Sequence, residues 1–194
     1  MSVANYVSVF SAIIIGLAVA DLATSFHKLM RNRDRVRWDW LIFAAALQVL
    51  LNLVAVWWVT FLWYGELQDM KIAAYLPDLA ILLTLFLAAA SILPDEVPAE
   101  GLSLRAFYLS NSPYFWTLWA ILMALTIVVL GPRYHPDADW ATFVRYEIPN
   151  FLFLGGSIIL ALTKRSWVHA VIVLAMLGYT VWDYLPQGWV GRAL

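Results

Sequence analysis

Residues 41–63 read LIFAAALQVLLNLVAVWWVTFLW, and this stretch decides the fold class. Its polar side chains are Gln48, Asn52 and Thr60, and it carries no charge. An apolar run of about 18 residues or more can cross the ~30 Å hydrocarbon core of a bilayer as a helix. Lipid supplies no partner for backbone polar groups, so a crossing segment must be a helix or part of a closed barrel. Barrel strands alternate in character over roughly 10 residues, whereas this run is continuous and about twice as long.

Five similar runs lie outward of it. With Leu41–Trp63 the set is Tyr6–Phe26, Ile72–Leu93, Pro113–Leu130, Ala141–Thr163 and Trp167–Leu185. The reading is an all-α polytopic integral membrane protein. One domain covers residues 1–194 as a bundle of six transmembrane helices with short loops. The longest piece between runs, Pro94–Ser112, is too short for a separate extramembrane domain. Composition agrees. Apolar residues are 63% and charged residues 13%, against roughly 45–50% and 25% in soluble domains, and the mean hydropathy is +0.78. That excludes a soluble enzyme, a nucleic-acid-binding module and a disordered chain. The net charge of -1 gives no overall field, and the absence of cysteine removes disulfides, thiolate metal sites and thiol nucleophiles.

Local signals mark the helix ends. Ser112-Pro113 reads as an N-cap followed by proline in the first turn. Asp139 and Ser166 read as N-caps of the fifth and sixth helices, and Gly131-Pro132 and Pro186 as stops. Leu102–Leu109 reads as a short interfacial helix or as an extension of helix four. Ala18-Val19-Ala20 resembles a signal-peptide cleavage site, but Met1 to Asn5 carry no basic residue, so the first run is expected to be an uncleaved span.

Basic residues set the expected orientation. Lys28, Arg31, Arg33, Arg35, Arg37, Arg105, Lys164 and Arg165 fall on one side, and Lys71, Arg133 and Arg192 on the other. Both termini are therefore expected outside the cytoplasm, in a bacterial inner membrane or its equivalent. The cluster from Lys28 to Arg37 is expected to meet anionic headgroups. The eleven tryptophans are read as interfacial anchors, with Trp38, Trp40 and Trp167 at one face and Trp57, Trp58, Trp63, Trp140, Trp182 and Trp189 at the other.

Motifs exclude more than they assign. Gly155-Gly156-Ser157 resembles the serine turn of intramembrane proteases, but Ile158 follows where glycine is needed, so close helix packing is the reading. Neither a phosphate loop nor a zinc-protease motif occurs. His27 and His169 fall near the same face, where an axial haem pair is conceivable. Interfacial histidines are usually structural, and no cofactor is expected. No lysine lies within a span, which argues against a retinal Schiff base.

Polar groups inside the spans are costly in lipid and are the functional candidates. Helix one aligns Ser11, Ile14, Ala18, Asp21, Ser25 and Lys28; helix two carries Gln48 and Asn52; helix three has Asp78. Helix five aligns Glu147, Asn150, Leu154, Ser157 and Ala161, and helix six aligns His169, Met176, Thr180 and Asp183. At ~1.5 Å per residue, Asp78 and Glu147 lie ~9 Å below the outer boundary, Arg145 ~6 Å and Asp183 ~3 Å, while Asp21 lies ~8 Å from the inner one. Glu147 is expected beside Asn150, with Arg145 and Asp78 or Asp183 close enough to set its protonation. Pro149 is expected to interrupt helix five there. Gln48 and Asn52 read as interhelical glue, and Asp21 as bonded locally to Thr24 or Ser25.

Three functions fit. The first is a small transporter or channel for a proton, cation or small polar solute. The second is a non-catalytic subunit or assembly factor of a larger membrane complex, or a homo-oligomer. The third, an intramembrane lipid-modifying enzyme, has no motif behind it.

Overall fold

The computed structural model describes residues 3–64 and 72–184. It is all-α apart from one short strand pair. The long helices are α1 (Val3–Arg31), α2 (Trp40–Tyr64), α3 (Ile72–Ile92), α4 (Leu104–Leu125), α6 (Trp140–Leu162) and α7 (Ser166–Tyr184). A π-helical segment, Thr126–Leu130, carries α4 into the single-turn helix α5 (Gly131–Tyr134). Among the described residues five helices are long and apolar enough to cross a membrane: Tyr6–Arg31, Trp40–Thr60, Ala73–Ile92, Leu104–Tyr134 and Ser166–Asp183. Helix α6 falls outside that set because Arg145, Glu147, Pro149 and Asn150 dilute its apolar run.

Two expected boundaries are wrong at α4. Ser112-Pro113 does not begin the helix. Ser103 does, its hydroxyl accepting from Ala106 N at 3.5 Å, and Pro113 sits in the interior. The segment from Leu104 to Leu109 is thus an extension of the helix rather than a separate interfacial one. Proline removes the N–H that would bond the carbonyl four residues back. The freed carbonyl of Leu109 instead accepts from Ser112 Oγ at 2.9 Å and from the Lys164 ammonium. Gly131-Pro132 does not stop the helix either. Gly131 N–H bonds Thr126 O, five residues back, and this wider turn admits Pro132 in the first turn of α5. The resulting 31-residue helical stretch is ~46 Å long, well beyond a ~30 Å core.

Other ends follow the local signals more closely. Asp139 caps α6, accepting from Thr142 N at 2.9 Å. The Thr142 hydroxyl and then its backbone N–H hold the Asp139 carboxyl below the usual carboxylate range. Ser166 is the first residue of α7 rather than its cap. The interruption expected at Pro149 is not there: α6 runs through it, as one lost bond does not break a packed helix. Pro186, Trp189 and Arg192 lie outside the described residues, as do Lys71 and the side chain of Trp63.

Helix α1 packs on α2 and α3, α3 on α4, α4 on α6, and α2 on α7, with a lighter contact of α6 on α7. At that contact Gly156 lets the helices approach closely, since a Cβ there would lie 2.7 Å from the Met176 methyl, the movable end of its side chain, and 3.1 Å from Ile172 Cγ2. The core is built around α4, where Phe115, Trp116 and Trp119 are fully buried and stack edge-on and tilted against one another. These two tryptophans are core residues, not interfacial anchors.

At one end of the bundle the 1–2 and 3–4 connections are tied together. Strand β1 (Val36–Arg37) pairs in parallel with β2 (Leu102–Ser103), Val36 opposite Leu102. Gly101, at φ 95, lets this approach happen, because a Cβ would meet Arg35 O at 2.9 Å. Arg105 Nε reaches Asp39 Oδ2 at 2.8 Å, while Asp39 Oδ1 accepts from Leu41 N at the start of α2. Lys28, Arg31, Arg33, Arg35 and Arg37 all remain exposed here.

Candidate functional site

The opposite end, around Gly131, gathers the charged candidates. Asp78 on α3 is buried and bonds Arg133 of α5 at 2.5 Å, and Arg133 also donates to Ala74 O at 3.2 Å. Glu147 on α6 is 4% exposed and accepts from Asn150 Nδ2 at 2.8 Å, within its own helix. The α5 backbone presses against it. A Cβ on Gly131 would lie 2.8 Å from Glu147 Oε1 and 2.9 Å from Phe143. The π-helical turn and a side-chain-free residue together bring this carboxyl against the α4–α5 backbone. Among the described residues no cationic group pairs with Glu147.

The expected role of Arg145 is therefore corrected. It points away, exposed on α6, and pairs with neither Asp78, Asp183 nor Glu147. Its place beside Asp78 is taken by Arg133. Residues 145 and 147 lie ~200° apart around a helix, so burying Glu147 turns Arg145 outward. Arg133 was in view only as a topology marker. The signal that could have found it is that Asp78 and Arg133 fall at the same end of neighbouring helices.

Of the two mid-bundle amides expected to join helices, Gln48 does and Asn52, among the described residues, bonds only within its own helix. Gln48 Nε2 donates to Thr180 Oγ1 at 2.8 Å, joining α2 to α7, and Asn52 Nδ2 donates to Gln48 O at 2.9 Å within α2. Gln48 Oε1 is buried without a partner among the described residues. Asp183 is half-buried on α7. Asp21 is half-buried too, and the expected local bond is not formed: Ser25 donates to Asp95 Oδ1 at 3.5 Å instead. The buried face of α1 runs through Ser11, Ala18, Leu22, Ser25 and Leu29, leaving Asp21 at its edge.

The strand-pair end carries a second polar cluster, in which the sequence singled out His169 but not its partners Tyr108 and Trp116. Trp116 Nε1 donates to Tyr108 OH at 3.1 Å, and Tyr108 OH lies 3.0 Å from His169 Nδ1. His169 Nε2 lies 3.0 Å from Thr163 O. A carbonyl only accepts, so Nε2 carries the hydrogen, and in that tautomer Nδ1 accepts a hydrogen bond from the Tyr108 hydroxyl. Beside it, Lys164 donates to Leu109 O, to Ser110 O at 3.3 Å and to Ser112 Oγ at 3.4 Å. Both nitrogens of His169 are thereby engaged, and His27 is exposed on α1. Among the described residues no three His, Asp or Glu side chains converge on a common point.

Compared with known proteins, the chain matches no family, no curated protein and no solved structure.

Proposed function

We propose that this protein is a small integral membrane transporter or channel for a proton, a cation or a small polar solute, with Glu147 as the exchanging group. In this reading all six long helices cross a bacterial inner membrane or its equivalent. Both termini face away from the cytoplasm, and the exposed cluster Lys28, Arg31, Arg33, Arg35 and Arg37 meets anionic headgroups. The observation that carries the reading is the setting of Glu147. It is a buried carboxyl that accepts from a neutral amide and, among the described residues, pairs with no cation, while the Arg133 guanidinium is committed to Asp78. Buried carboxylates that serve only packing are ordinarily paired with a cation. One that is not has capacity left for a proton or a small cation.

A second reading, a subunit or assembly factor of a membrane complex, is favoured by a different observation. Asp78, Gln48 and His169 spend hydrogen-bonding capacity on joining helices, as structural polar groups do. Proton and potassium flux into liposomes separates the two. Under the transport reading wild-type protein carries one of these fluxes, and Glu147→Gln abolishes it while the protein still folds and reconstitutes. No flux above empty liposomes, together with copurification of a stoichiometric membrane partner, would establish the second reading.

A further inference from the structure

A face of α6 about a quarter-turn round from Glu147 carries a feature that neither the packing nor the proposed exchange uses. Val144, Ile148, Phe151 and Leu152, all on α6, line a shallow groove of about 430 Å³ that is largely open to the surroundings. Its walls are exposed well beyond ordinary core residues, Ile148 at 48% and Leu152 at 68%. Gly155 continues the same helical face one turn further, and a Cβ there would meet nothing within 4 Å, so the floor stays open. From Val144 to Gly155 the face runs ~16 Å, about half of a ~30 Å core and the depth of one leaflet.

Arg145 sits at the head of this groove, on the side shared with Ile148 and Leu152 at three- and seven-residue spacing. It is exposed and forms no ion pair among the described residues. A guanidinium on an apolar helix face, ~6 Å below the boundary, extends its stem toward the headgroup level. There it matches a phosphate, which its fork of donors can take bidentately. Trp140, 75% exposed one turn above, adds an interfacial ring at the same level.

We propose that this face of α6 is a binding site for one anionic phospholipid, its phosphate on Arg145 and one acyl chain in the groove that ends over Gly155. The site rests on the reading that α6 crosses the membrane, which has its own control below. It is independent of the Lys28–Arg37 cluster, which lies at the other end of the bundle.

The experiment is native mass spectrometry of the detergent-solubilised full chain titrated with dioleoyl phosphatidylglycerol. Arg145→Gln removes the charge and keeps the groove. Gly155→Phe fills the groove and keeps every charge, and Gly155→Val is a smaller version should phenylalanine impair folding. Each is expected to weaken the first lipid bound by about fivefold, the equivalent of one surface-level basic residue. First-lipid binding like wild type in both the Arg145 variant and a folded Gly155 variant would overturn the site. So would loss of an oligomeric mass in place of lipid, which would make the face a contact with a second copy. Resistance of the wild-type chain to alkaline carbonate extraction tests the membrane-crossing reading separately.

Discussion

The two ends of the bundle handle buried polarity in opposite ways. At the strand-pair end the network has a direction: Trp116 donates to Tyr108, Tyr108 to His169, and His169 to the Thr163 carbonyl. It contains uncharged groups, and the nearby cation, Lys164, is spent on carbonyls of α4, one of them freed by Pro113. At the Gly131 end the groups are ionisable. Asp78 has its guanidinium, while Glu147, one helix away, has an amide. A carboxylate offers about four lone-pair sites, so one bond leaves most of that capacity open. Helices held by closed networks gain fixed geometry, whereas a carboxyl with a single amide partner among the described residues is held less fully. The first end is closed by hydrogen bonds, while the second keeps acceptor capacity unused among the described residues.

The strongest test of this contrast is at the charged end. Asp78→Ala strands Arg133 in a partly buried position, and the loss is expected to be about 3 kcal/mol, read from the unfolding midpoint in detergent. Adding Arg133→Met should recover most of it. A loss under 1 kcal/mol would mean that the pair is solvated and that the two ends do not differ as described.

Next in size is Tyr108→Phe. It leaves the Trp116 N–H without an acceptor and the His169 Nδ1 without a donor, at an expected cost of about 2 kcal/mol. His169→Phe should add little in the Tyr108→Phe background if the four groups act as one chain. Full additivity would show two separate bonds rather than a network.

Gly131→Ala sharpens the other side. The new methyl would displace the Glu147 carboxyl and press on Phe143, at about 1 kcal/mol. In a Glu147→Ala background that penalty should shrink, because the displaced oxygen is gone. An unchanged penalty would assign the tightness to Phe143 alone.

The smallest effect is expected at mid-bundle. Gln48→Met combined with Thr180→Val replaces both partners with apolar groups of similar size and removes the unsatisfied Gln48 oxygen. Stability should change by no more than about 0.5 kcal/mol, although Gln48→Met alone should cost more. A large loss in the double variant would place Gln48 and Thr180 with the locking contacts.

How much of this was legible beforehand differs residue by residue. The start of α2 and the end of α3 could be placed within a residue, because an apolar run ends where its composition ends. The junctions of α4 could not. Ser112-Pro113 and Gly131-Pro132 are sound local stop and start signals, and both were overridden by partners from elsewhere in the chain and by a wider helical turn. Glu147 beside Asn150 was readable from their spacing on one helix. Arg133 beside Asp78 was not, since 55 residues separate them and no local rule relates the two.

By itself, then, the sequence determined the all-α class, the runs long enough to cross a bilayer and the polar character of each helix face, since these depend on length and on a 3.6-residue period. Tertiary structure alone decided which face of α6 turns inward, and that Arg133 rather than Arg145 pairs with Asp78. It also decided that Tyr108, Trp116, His169 and Lys164 form one cluster. The physical reason is that a helix's periodicity states which residues share a side, but packing against neighbours selects the side that is buried. In the ~200° between residues 145 and 147, that selection separates a buried carboxyl from an exposed guanidinium.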